Sequence, residues 1–210
     1  MLKKMMLLAS MALAAIAFAV PASASALEWT DEGSSFSGEI GDTITGFIAF
    51  GNPVAGQTKF GCEAHAEIDF IGGGTTATLT SFEPTTGTCV GEGSFTGCKL
   101  VEHQTTIPSG TRIHILGTNT MTLTTPAGEP IVLHNVYDTG CAIEKSTLTV
   151  THLHMSTPTV AQGNTNSSLT DVTVSGEAQS HTWIRGLGEI TQTVGVFGTM
   201  GTATDTITIS

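Results

Sequence analysis

Beyond the first 26 residues, apolar and polar positions alternate with period two almost everywhere, and no helical period appears. Alternation of this kind sends successive side chains to opposite faces of a strand. It predicts strands over 44–50, 62–71, 76–82, 99–106, 111–117, 118–124, 131–137, 146–154, 169–176, 189–197 and 202–209. Most are bounded by Gly, Pro, Asn or Asp, the residues that turns require. About eleven short strands with no substantial helix is an all-β pattern, and it exceeds the seven to nine strands of an immunoglobulin-like domain. The expectation is an antiparallel β-sandwich or jelly-roll-like fold.

The first 26 residues follow another rule. Lys3 and Lys4 lead into an apolar stretch from Met5 to Val20, and Ala24-Ser25-Ala26 supplies a small-residue cleavage site, with Ala22-Ser23-Ala24 as a second option. The expected organisation is a signal peptide over 1–26 and a single all-β domain over 27–210, exported from the cell. The polar segment 161–168 reads as an exposed loop. The residues after it are too few and too poor in large apolar groups for a second core. No fixed repeat is present, so a solenoid is not indicated.

Composition narrows the partners. Thr accounts for 37 residues, all of them after residue 26, and with 25 Gly this is a strand-and-turn composition. It resembles that of small, Thr/Gly-rich exported β proteins of bacteria. Cleavage would remove two of the seven Lys/Arg and none of the 18 Asp/Glu. So few cations cannot neutralise a run of phosphates, and nucleic acid is excluded as an expected partner, as are polyanionic sugars and anionic membranes. No stretch after residue 26 approaches the ~20 apolar residues of a spanning helix, and the aromatics are too few for the girdles of an outer-membrane barrel. The expected partner is an unspecified extracellular ligand.

Cys62, Cys89, Cys98 and Cys141 are an even set in an exported chain, which reads as two disulfides. No C-x-x-C occurs, so neither a zinc knuckle nor a redox motif is indicated. A hairpin folded about Gly72-Gly73-Gly74 would bring Cys62 towards Cys89 and leave Cys98 for Cys141. The rival is Cys89 with Cys98, closing the Gly-rich segment between them.

Three features carry candidate chemistry. Alternation places Glu63, His65, Glu67 and Asp69 on one face of a strand, spaced about 6.6–6.8 Å apart. Such a row is a candidate for a divalent cation, with Glu63 and His65 as ligands, or for acid/base work; the alternative is a solvated polar face. The segment Glu67-Ile68-Asp69-Phe70-Ile71-Gly72 resembles the catalytic strand of laminarinase-type glycoside hydrolases. That resemblance implies a β-sandwich, Glu67 as nucleophile and Asp69 as its helper. The second Glu of that pattern falls on Ile71 or Gly72 here, whereas retaining hydrolysis needs two carboxylates. Second, His152-Leu153-His154 has the H-x-H spacing with which cupins begin a metal site. In strict alternation these rings share a face with Leu148 and Val150 and point inward, where a metal could be held. A bulge would turn them to solvent instead. His114 and His134 lie on nearby strands. Third, Thr rows at 76/78/80, 118/120/122/124, 147/149/151 and 202/204/206/208 could form an ice-binding array or serve as uncharged solvent faces. No nucleophile elbow or dinucleotide loop is present. The leading expectation is a non-enzymatic extracellular binding or structural module without a cofactor. The alternative is a metal- or carboxylate-dependent hydrolase acting on a carbohydrate.

Overall fold

The computed structural model describes residues 27–52, 54, 57–157, 167–202 and 207–210. The expected signal peptide and residues 161–166 of the expected loop lie outside them. In chain order the strands are β1 (Trp29–Asp31), β2 (Ser34–Ser35), β3 (Glu39–Gly51), β4 (Lys59–Ile71), β5 (Thr76–Pro84), β6 (Val90–Glu92), β7 (Leu100–Thr106) and β8 (Arg112–Gly117). They continue as β9 (Thr120–Thr124), β10 (Ile131–Tyr137), β11 (Ile143–Val150), β12 (His152–Ser156), β13 (Ser167–Ser168), β14 (Val172–Ile184), β15 (Gly188–Thr202) and β16 (Ile207–Ile209). The helical content of the described residues is two single 3₁₀ turns at Thr86–Thr88 and Gly93–Phe95. The all-β expectation holds.

The architecture corrects the sandwich. Antiparallel pairing runs β12-β9-β8-β5-β4-β3-β15-β14, and β14 then pairs back onto β12, which closes an eight-stranded barrel. A barrel removes sheet edges that a sandwich leaves open. Closure depends on one irregularity. β14 pairs with β11 through Thr149↔Gln179 and with β12 through Leu153↔Gly176, so one extra residue is accommodated around Thr151. On its other side this kinked strand pair parts company: β9 lies beside β12, whereas β10 and then β7 lie beside β11. The barrel wall therefore continues past its closed ring as a flap of β11, β10 and β7. This flap comes round to β5, where His103 Nε2 and Glu83 Oε2 are 2.6 Å apart.

Close strand approach helps the long strands coil. Gly46 on β3 faces β15 so closely that a Cβ there would collide with the Thr199 carbonyl, a place where only glycine fits. Between β4 and β5 the tight turn uses Gly73 at φ 67°, a conformation that favours glycine.

The two ends are closed differently. At one end a small sheet, ordered β13-β16-β1-β2, lays Trp29, Ile207 and Ile209, all fully buried, against the barrel. There the Trp29 ring meets Phe70 edge-on at 4.9 Å. At the other end the segment from Thr85 to Lys99 folds over the lumen, and Phe95 packs among Phe50, Phe60 and Tyr137 with ring centroids 5.3–5.6 Å away. Disulfides Cys62–Cys89 and Cys98–Cys141 tie this segment to β4 and to the turn after β10. That is the pairing derived from the Gly72–Gly74 hairpin.

Candidate functional site at the mouth of the barrel

The residues singled out from sequence lie on the outside. On β4, Phe60, Cys62, Ala64, Ala66, Ile68 and Phe70 are buried in the lumen, while Glu63, His65 and Glu67 are exposed and Asp69 is half-buried on the convex face. The row is therefore real as a row. Its register neighbours are Thr45 and Glu83 beside His65, and Thr43 and Ser81 beside Glu67. His65 Nε2 lies 3.1 Å from the Thr85 hydroxyl. Among the described residues, the strand neighbours that flank Glu67, Thr43 and Ser81, are not carboxylates. Of the two tryptophans, Trp29 is in the core, and Trp183 is half-exposed on the outer face of β14 with Lys145 Nζ 5.5 Å from its ring centroid.

His152 and His154 are corrected in direction. They point outward, because the bulge at Thr151 inverts the alternation: Leu148 and Val150 face the core, then Leu153 and Met155 do. The rings meet edge-on, with Nε2 atoms 3.3 Å apart, and the Thr122 hydroxyl is 3.2 Å from His152 Nε2. His114 is separated from His154 by Thr122, and His134 pairs with Thr147 through Nδ1 at 2.9 Å on the flap. Among the described residues, no three His, Cys, Asp or Glu side chains converge as a metal group. The Thr rows interleave with other residues across strands: Thr122 lies between His114 and His154, and Thr124 between Arg112 and His152. Thr204 and Thr206 fall outside the described residues.

What the sequence did not single out is the lumen. Along β14 the inward residues run Val172, Val174, Ala178, then Ser180 and Thr182, all buried. Across the neighbouring strands Ser180 still faces Leu148 and, beyond it, Leu133, whereas Thr182 faces Ser146 and, beyond it, Asn135. The same barrel is thus apolar near the Trp29 sheet, whereas near the disulfides the uncharged polar residues Ser180, Thr182, Ser146 and Asn135 lie beside a second apolar cluster of Phe60, Phe95, Leu100, Tyr137 and Ile143. The polar groups are satisfied in pairs, Ser180 Oγ with Thr182 Oγ1 at 2.9 Å and Tyr137 OH with Ser146 Oγ at 2.8 Å. Burial pushes the Tyr137 phenol well above its ordinary range, and its bonds to Ser146 and Asn135 only partly offset this.

At this end the wall is incomplete. β15 pairs with β3 only from Gly195 onward, so residues 188–194 have β14 on one side and no strand on the other among the described residues. Beside that free edge opens a cavity of about 420 Å³. It is lined by Phe50 and Phe95, by Ser180 and Thr182 of β14 with Gln192–Gly195 of β15, and by Gly51, Asn52, Gln57 and Thr58. Its size is that of a small-molecule site, and a barrel mouth is a common place for one. Among the described residues, every one that lines it is uncharged, in a chain with 18 carboxylates. The arrangement can hydrogen-bond a neutral polar molecule through hydroxyls, amides and free backbone groups while stacking it on aromatic rings.

The signal for these residues was present but ambiguous, since Ala178, Ser180 and Thr182 alternate like any strand but look like a solvent face. Compared with protein-family models, with curated proteins and with solved structures, the chain matches none, so its function rests on this geometry.

Proposed function

We propose that the protein is a non-enzymatic extracellular binding module whose ligand is an uncharged, hydroxyl-bearing small molecule held in the barrel mouth. The observation that carries this reading is the 420 Å³ cavity lined by uncharged residues, with the two buried hydroxyls of Ser180 and Thr182 on its wall. A charged ligand would leave its charge unpaired there, a costly arrangement. Export is supported by the two disulfides, which persist in oxidising compartments. In this reading residues 27–210 work as one unit, with the Trp29 sheet and the disulfide-tied segment closing the two ends of the barrel.

The hydrolase alternative would place chemistry on Glu67 and Asp69, or on His152 and His154. Its carboxylates occupy one strand on a convex face, and enzymes converge titratable groups from several elements. An ice-binding surface would need Thr rows side by side, and the register sets His and Arg between them.

The test is a screen of neutral sugars and polyols beside their carboxylate and amine analogues, followed by amide NMR. Neutral compounds should shift the amides of Gly51, Thr58, Thr182 and Gly195, and Thr182→Val should weaken the response. Binding that maps to Glu63–Asp69, or glycoside cleavage lost in Glu67→Gln, would overturn the proposal in favour of the hydrolase.

A further inference from the structure

The mouth is not the only space in the barrel. A second chamber of about 110 Å³ lies deeper, between the mouth and the Trp29 sheet, and every residue lining it is apolar, among them Ile48, Ile68, Leu148, Val150 and Met155. A third space of about 40 Å³ adjoins it and shares Ile48, Phe82, Leu133 and Leu148 with it. Phe50 lines all three, and it is the one residue that the mouth has in common with either inner space. Its ring is only partly buried and touches Phe95 edge-on at 5.6 Å and Phe60 at 5.9 Å. One side chain thus stands between a space lined by polar groups and a space lined only by apolar ones. Dry apolar cavities of comparable size hold small hydrocarbons.

We infer that the barrel takes an uncharged amphiphile: a hydroxylated head in the mouth and a short hydrocarbon tail that passes Phe50 into the apolar chamber. The inference rests on the mouth reading above and adds the chemical class of the ligand. Two features set that class. The mouth supplies partners for a neutral polar head and none for a charge. The inner chamber supplies no polar partner at all, so only a hydrocarbon gains by entering it. Phe50 then acts as a positioning residue that moves aside and packs along the tail.

The experiment uses straight-chain primary alcohols from propanol to octanol, titrated into the oxidised protein and followed by amide and methyl NMR. Amides of Thr182 and Gly195 report the mouth, and methyl groups of Ile48, Leu133 and Leu148 report the chamber. Both sets should titrate with one dissociation constant. Affinity should rise about fourfold per methylene, the equivalent of ~0.8 kcal/mol, until the chamber is full, and then level off. In Ala66→Leu, which fills the chamber from β4, the gain with chain length should vanish while the mouth amides still respond; Phe50→Ala, which removes the ring that packs along the tail, should weaken binding of every alcohol by a similar factor. Shifts confined to the mouth and independent of chain length would overturn the inference and leave the mouth reading standing. The absence of shifts at both places would overturn both.

Discussion

The two halves of the barrel share strands but not chemistry. β3, β4, β14 and β15 each run through both, yet near the Trp29 sheet their inward positions are Ile44, Ile68, Val172 and Met200, and near the disulfides they are Phe50, Phe60, Thr182 and Gln192. The first half holds itself together by apolar burial. The second has a smaller, largely aromatic cluster around Phe60 and Phe95, buried hydroxyls on β14, an unpaired strand edge and an open cavity, and both disulfides are there. The lesson is a division of labour. The half with the smaller apolar cluster and the open cavity has less hydrophobic stabilisation, and cross-links that restrict the unfolded chain offset the difference.

Reducing both disulfides should break this comparison most severely. Their spans of 27 and 43 residues correspond to about 3.5 and 4 kcal/mol of loop entropy. Denaturant melts with and without reductant should show a loss of several kcal/mol. Hydrogen exchange should accelerate first at Phe60, Leu100 and Ile143, before Phe70 and Ile209. Simultaneous loss at both ends would deny that the disulfides serve one half.

Trp29→Ala attacks the other half. Truncating a fully buried Trp costs about 3–5 kcal/mol, and the mouth amides should keep their chemical shifts in the folded fraction. A shift there would mean that the ends are coupled.

The alkaline limit sharpens the contrast at smaller amplitude. Tyr137 is the only tyrosine, so tyrosinate absorbance reads it alone. Its phenol is raised in the folded state above the ordinary value of about 10. Below that pH both states keep the proton and its contribution is intact. Above it the unfolded chain ionises first, so stability falls as pH rises. Tyrosinate should therefore appear only with unfolding, and Tyr137→Phe should flatten that part of the pH profile. Ordinary titration in folded protein would contradict the buried placement.

The smallest effect belongs to the outer face. Glu67→Gln should change stability by no more than ~0.5 kcal/mol, and chelator should leave the melting midpoint unmoved. A chelator-sensitive midpoint would restore a metal role for His152, His154, Glu63 or His65.

Much of the wall was legible because alternation is a local signal. The two faces of β4 were read correctly from Glu63 to Phe70, and the hairpin at Gly72–Gly74 gave the disulfide pairing. Closure was not legible. It depends on a bulge at Thr151 whose mark in the sequence is a phase slip of the apolar positions from Leu148 and Val150 to Leu153 and Met155, which strict alternation passes over, and the same bulge turns His152 and His154 outward. The second half of β14 was missed for a related reason. Period-two reading looks for apolar residues inside, and Ser180 and Thr182 are inside as a mutually hydrogen-bonded pair of hydroxyls. Strands of two or three residues, such as β1, β2 and β6, are too short to show a period. The site was hidden by its own chemistry: an uncharged polar lining looks like a Thr-rich surface until the barrel is closed around it.

The gradient along the lumen is tested most directly by a crystal structure determined under xenon pressure. Xenon should occupy the apolar chamber between Ile68 and Leu148, and ordered water should sit on Ser180, Thr182 and Gln192 in the mouth. Water in the inner chamber, or a mouth collapsed onto Phe95 with no solvent inside, would contradict the account.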